Sequence, residues 1–206
     1  MAYVESAAVL YLRTIYGGVD PVGPRRSPFN PLPDFVWIEI GREAATMLML
    51  AAVAYLAGRS PLARVGAFGV ALGLWDIFYY VFLWVFSGWP ASPMAPDVLF
   101  LIPLPWWGPV LAPVLGAIVI VVAGMGAMVR ELGDGVPPPR RAEVAAIAIG
   151  TVICLVAFMS GAIAALPGGI EAAYDARGGP FPWPIFVIGA ALGTYGLLRT
   201  VTRSSL

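Results

Sequence analysis

The sequence predicts an all-α integral membrane protein. It should be a helical bundle of about five transmembrane helices, with an N-terminal interfacial helix and a Pro/Trp-rich loop of re-entrant character. Three observations predict it. Of the 206 residues, 60% are hydrophobic and 12% charged, and mean hydropathy is +0.85, outside the balance of soluble domains. Apolar stretches of about 20 residues, the length that crosses a bilayer core, recur along the chain. Pro, Gly and Arg separate them. These spans consume most of the chain, so a single transmembrane domain over 1–206 is expected, with 1–33 as an N-terminal segment and 34–201 as the bundle.

The elements follow in order. AYVESAAVLYLRTIYGG is too short and too charged to span, and suits a helix lying at the interface. It lacks the basic start and small-residue cleavage site of a secretory signal. A proline-rich connection, PVGPRRSPFNPLPD, comes next. Spans are expected at about 34–57, 66–87, 108–129, 143–166 and 184–201. Neither an internal repeat nor a low-complexity tract is evident.

Composition also excludes chemistry. The chain has no His and one Cys, Cys154, inside an apolar span. Haem and most zinc, copper and iron–sulfur sites therefore lack their usual ligands, and no metal or cofactor is expected. Cys154 reads as a small buried apolar side chain. Net charge is zero, all twelve basic residues are Arg, and no basic run exists, so nucleic acid is not an expected partner.

Arginine sets the expected orientation. Arg59 and Arg64 follow span one, Arg130, Arg140 and Arg141 follow span three, and Arg199 and Arg203 end the chain, so this side and the C-terminus should be cytoplasmic. Arg13, Arg25 and Arg26 of the N-terminal segment run against that pattern. Trp37, Trp84, Trp89, Trp106, Trp107 and Trp183 all fall toward the opposite side. Belts normally form at both interfaces, so the outer face either does more than anchor or packs a long loop.

The polar site is read from helix periodicity. Gly69, Gly73, Asp76 and Tyr80 share one face of span two, where glycines that permit close helix contact lead into an acid and a phenol. Asp76 should point into the bundle. Span one carries Glu39, Arg42, Glu43 and Thr46 on one stripe. At about 1.5 Å per residue, Glu43 lies about 12 Å deep and Asp76 and Tyr80 about 10–16 Å deep, so the stripes match. The short connection GRSPLARV makes the two spans antiparallel neighbours. The expected catalytic cluster is Asp76, Glu43, Glu39, Arg42, Tyr79 and Tyr80. Three carboxylates against one guanidinium would sum to minus two, which a low-dielectric bundle relieves by leaving a proton on one or two acids. Such a set suits acid–base chemistry, a proton relay, a cation site or a structural network that fixes helix register.

Between spans two and three, SGWPASPMAPDVLFLIPLPWWGPVLAP carries Asp97 as its only charge. Its apolar segment of about ten residues is either a short piece lying over the cluster as a lid or a tightly packed connection. Trp75, Trp84, Asp97, Trp106 and Trp107 are the expected substrate-binding residues. The later loop LPGGIEAAYDARGGPFPW, with Glu171, Asp175 and Arg177, would border the same entrance, though solvated loop charges explain these three adequately.

EIGREAATMLM, LWDIFYY, and GWP followed by DVLFLIPLPWWGPVLAP resemble an uncharacterised family of small bacterial multi-span membrane proteins, over roughly Glu39 to Pro113. The resemblance implies no activity, substrate or catalytic residue.

Three functional expectations follow. The first is an isomerase- or cyclase-type acid–base enzyme acting on a lipophilic substrate such as an isoprenoid or lipid. Asp76 or Glu43 would move the proton, Arg42 would hold one carboxylate ionised, and aromatic faces would stabilise a cationic intermediate. No Ser, His or Cys constellation favours hydrolysis. The second is a noncatalytic accessory subunit of a larger membrane complex, the third a small transporter. Membrane lipids, a lipophilic small molecule or partner subunits are the expected partners, and a bacterial inner (plasma) membrane the expected location.

Overall fold

The computed structural model describes residues 1–15, 32–132, 138–176 and 179–203. Its elements are α1 (Ala2–Ile15), α2 (Leu32–Ala57), α3 (Pro61–Ser87), β1 (Pro96–Phe100), β2 (Trp106–Pro109), α4 (Leu111–Glu131), α5 (Arg141–Ala165), α6 (Ile170–Asp175) and α7 (Trp183–Thr202). Five helical segments are long and apolar enough to cross a membrane: Trp37–Ala57, Pro61–Ser87, Leu111–Glu131, Arg141–Gly168 and Trp183–Thr202. The protein is a membrane-embedded helical bundle, with span ends within a few residues of those expected. Most of the proline-rich connection after α1, including Arg25 and Arg26, lies outside the described residues.

Local chemistry sets the helix ends. α3 begins earlier than its apolar run because Ser60 caps it, its hydroxyl accepting the Ala63 N–H at 3.1 Å, and Pro61 takes the first position, where its missing N–H costs nothing. It ends where Gly88, at φ +71°, adopts the left-handed turn that terminates helices. At the start of α5 the Glu143 carboxylate accepts the Arg140 N–H at 2.8 Å, one half of a capping box.

The chain forms two compact units, each collecting segments of several helices. One comprises residues 1–46, 75–114 and 159–181; the other comprises 47–74, 115–158 and 182–206. In the second unit, glycines bring helix backbones together. A methyl group on Gly124 would lie 2.4 Å from the Gly66 carbonyl oxygen, and one on Gly73 would lie 2.7 Å from that of Ala117, so α3 and α4 meet without side chains between them. On α5, a methyl on Gly150 would lie 2.4 Å from the Gly193 nitrogen of α7. Gly69 and Gly73 abut Ile120, Val121 and Ala117 of the third span. Helical periodicity identifies a close-packing face but carries no information on which neighbour fills it. Both Glu143 oxygens also accept from Arg203 Nη1, at 2.8 and 2.9 Å, tying Arg203, just after α7, to the start of α5.

The first unit packs Tyr80, Leu83, Trp89 and Val110 as its buried core, with Leu10 of α1 and Leu99 of β1 against it. The segment expected to be re-entrant contains an antiparallel hairpin in which Val98 faces Trp107 and Phe100 faces Trp106, with an irregularity between Val98 and Phe100. Hydrogen bonds from Val110 to Ala95 and from Leu111 to Pro93 extend the pairing toward α4. A hairpin fits this segment because its prolines rule out continuous helix while the pairing satisfies backbone groups among apolar side chains.

Candidate functional site

The first unit contains a partly open cavity of about 300 Å³, at the small end of the range for ligand sites, about 300–1,000 Å³. Residues from α1, α2, α3, the hairpin and α6 line it. The six residues expected as the catalytic cluster, Glu39, Arg42, Glu43, Asp76, Tyr79 and Tyr80, all belong to its wall. The helical stripes of spans one and two converge there as their spacing predicts.

Arg42 organises one side. Its Nε and Nη2 donate to Glu39 Oε2 at 3.0 and 2.7 Å, and its Nη1 pairs with Glu5 of α1. The Thr46 hydroxyl reaches the same Glu5 at 3.5 Å. One guanidinium thus joins two helices through two carboxylates, a fork geometry that Lys could not reproduce. Glu43 serves the hairpin instead: the Leu101 N–H points at its two oxygens, 3.0 and 3.1 Å away. The Tyr174 hydroxyl lies 3.2 and 3.3 Å from the carbonyl oxygens of Leu101 and Pro103. The hairpin tip is therefore held by Glu43 of α2 and Tyr174 of α6.

A second ion pair fastens α1 to the hairpin. Arg13 Nη2 lies 2.7 Å from Asp97 Oδ1, and the Arg13 guanidinium stacks 4.1 Å from the Trp89 ring centre. Asp97 is fully buried, and burial pushes its carboxyl up to about 6, against the opposing pull of Arg13, the Val98 N–H and the Tyr80 hydroxyl. The buried Ser6 hydroxyl, 2.9 Å from the Tyr79 carbonyl oxygen, completes the α1 contact with α3.

Asp76 is treated differently. Among the cavity carboxylates, Glu5, Glu39 and Glu43 each have a partner, while the buried Asp76 Oδ2 has no hydrogen-bond partner among the described residues. The indole N–H groups of Trp75 and Trp107 are likewise buried and unpartnered. All three side chains line the cavity, where Trp75 also stacks on Tyr79 with ring centres 6.4 Å apart. Buried polar atoms without protein partners are uncommon and costly, so these three are the groups in the cavity wall that a bound molecule or water can satisfy.

The remaining expected residues divide. Trp107 faces the cavity, as does Trp75. Trp84 is 60% exposed and lies off the cavity wall. Trp106 packs its ring 5.3 Å from Phe100 and Asp97 is occupied by Arg13, and neither lines the cavity. Of the loop expected to border the entrance with Glu171, Asp175 and Arg177, the residue in the cavity wall is Tyr174. Glu171 is exposed, whereas Arg177 and the Asp175 side chain lie outside the described residues. Sequence reading missed Glu5, Arg13 and Tyr174. Glu5 and Arg13, eight positions apart on a short helix, gave the only available signal, a shared face.

No family model, curated protein or solved structure matches the chain.

Proposed function

We propose that this protein is an intramembrane acid–base enzyme of the isomerase or cyclase type acting on a lipophilic substrate such as an isoprenoid or other lipid. The observation that carries this reading is the contrast among the cavity carboxylates. Glu5, Glu39 and Glu43 are committed to Arg42 or to the hairpin backbone, and Asp76 presents an unpartnered oxygen in a wall otherwise rich in aromatic side chains. Asp76 is the group that exchanges a proton with the substrate. Glu43, also in the cavity wall, is the candidate for a second proton carrier while it holds the hairpin through the Leu101 N–H. Arg42 keeps Glu39 and Glu5 fixed and positions α1 and α2 around the chamber. Faces of Trp75, Tyr79, Tyr80 and Trp107 can stabilise positive charge developing on carbon. A proton given to one carbon and taken from another leaves no net change in protons or electrons, so the chemistry needs no co-reactant.

The test is turnover by the purified full chain in lipid nanodiscs supplied with candidate isoprenoids. Asp76→Asn should retain the folded bundle and lose about 10²–10⁴-fold in rate, the usual weight of a proton-transferring group. Loss of the folded protein, or unaltered turnover, would assign Asp76 a structural role instead.

The location proposed is a bacterial inner membrane, and within it Arg59, Arg64, Arg130, Arg140 and Arg141 support an orientation with the C-terminus in the cytoplasm. A C-terminal reporter active only in the cytoplasm should give signal; a periplasm-specific reporter lighting up there would reverse the orientation.

A further inference from the structure

The unpartnered atoms around the cavity specify more than a lipophilic occupant. With Arg42 Nη1 assigned to its ion pair with Glu5, they comprise two donors, the indole N–H groups of Trp75 and Trp107, and one acceptor, Asp76 Oδ2. A chemical group that satisfies all three must accept two hydrogen bonds and donate one. A hydroxyl has that inventory: two lone pairs and one O–H. An ether or ester oxygen offers lone pairs but leaves the carboxylate without a donor. An ammonium offers donors only and would strand both indoles. A phosphate or carboxylate could receive the indoles, but it would have to enter a wall that already holds Glu5, Glu39, Glu43 and Asp76, with Arg42 bound to Glu5 and Glu39 and Arg13 bound to Asp97. Among the described residues of the wall, both guanidiniums, Arg13 and Arg42, are already paired with carboxylates.

Resting on the enzyme reading above, we infer that the occupant of this cavity is an uncharged isoprenoid or lipid alcohol whose hydroxyl donates to Asp76 and accepts from Trp75 and Trp107. The proton that Asp76 handles is then within reach of a substrate oxygen. The apolar remainder of the molecule lies against side chains such as Val9, Leu12, Val98 and Leu99, which line the same chamber. Selectivity against analogues lacking the hydroxyl should be steep, because each would leave buried polar atoms of the site unpaired.

Equilibrium binding of tritiated geraniol, a ten-carbon isoprenoid alcohol, to the full chain in nanodiscs tests this directly, with empty nanodiscs subtracted. Unlabelled geraniol should displace the label, while its methyl ether, the corresponding amine and the corresponding phosphate should each need at least about tenfold higher concentration, equivalent to about 1.4 kcal/mol or more. In Trp107→Phe, which keeps the ring and removes the donor, affinity for the alcohol should fall and its advantage over the ether should shrink. Equal displacement by alcohol and ether, tighter binding of the amine or phosphate, or no saturable binding by any of the four would overturn the inference. Because the measurement reads binding alone, it is separable from the enzyme reading. Hydroxyl-selective binding without product formation would refute catalysis and leave the ligand class standing, whereas turnover of a lipid without a hydroxyl would do the reverse.

Discussion

At the scale of single residues, the site is governed by which carboxylate has been given a partner. Glu39 and Glu5 share Arg42, Glu43 takes the Leu101 N–H, Asp97 takes Arg13 through Oδ1, and Asp76, in the cavity wall, keeps Oδ2 without a partner among the described residues. The periodicity of spans one and two made Asp76, Glu39, Arg42, Glu43, Tyr79 and Tyr80 legible together, because residues three and four apart share a helix face. It could not assign partners, which depend on α1, a short helix whose docking position leaves no periodic mark in the spans. Asp97 provides a pH test of that docking. Its folded value near 6, raised by burial, exceeds the ordinary 3.8. Between about pH 4 and pH 6 the folded chain therefore retains a proton that the unfolded chain releases. Sign follows: this group favours folding as pH falls through that window, by at most about 1.4 kcal/mol per pH unit, and the contribution disappears as pH rises above 6. Tyr79, Tyr80, Asp76 and Arg13 are the titratable and charged groups that act on it. Thermal unfolding in detergent at pH 5 and pH 7 should show this difference in the wild type and a smaller one in Asp97→Asn. The same difference in both proteins would remove Asp97 from the account.

At the scale of elements, two kinds of contact do separate work. In the second unit, glycine-lined crossings of α3 with α4 and of α5 with α7 allow backbones to touch, which suits an environment where lipid gives helices no hydrophobic reason to associate. Gly150→Val would push its new side chain into the Gly193 backbone, 2.4 Å from where the first carbon must go. It should destabilise the protein by about 1–3 kcal/mol or more, read as a lower midpoint in SDS-induced unfolding. An unchanged midpoint would mean that the crossing can open freely. In the first unit, polar anchors hold a hairpin. Its existence was not legible, because DVLFLIPLPWW is apolar at nearly every position and shows no alternation for a strand to betray. The prolines revealed only that continuous helix was impossible. Tyr174 was equally hidden, since a single phenol in a loop carries no pattern, yet its hydroxyl reaches the hairpin tip.

At the scale of the whole molecule, the five spans were the most legible feature, since a run of about 20 apolar residues has few other uses. What the chain does with them depends on the cavity. If the bundle is an enzyme for a lipophilic alcohol, the protein should carry its ligand when taken gently from its own membrane. An accessory subunit should carry polypeptides instead. Native mass spectrometry of the chain, extracted in mild detergent at natural abundance, distinguishes these outcomes most directly. The account predicts a single chain or small homo-oligomer retaining one oxygen-containing lipophilic molecule of defined mass per chain, and loss of that mass in Asp76→Asn. A stoichiometric set of other polypeptides around a chain with no such molecule would contradict it, and would recast the Asp76 cavity as part of an assembly's packing.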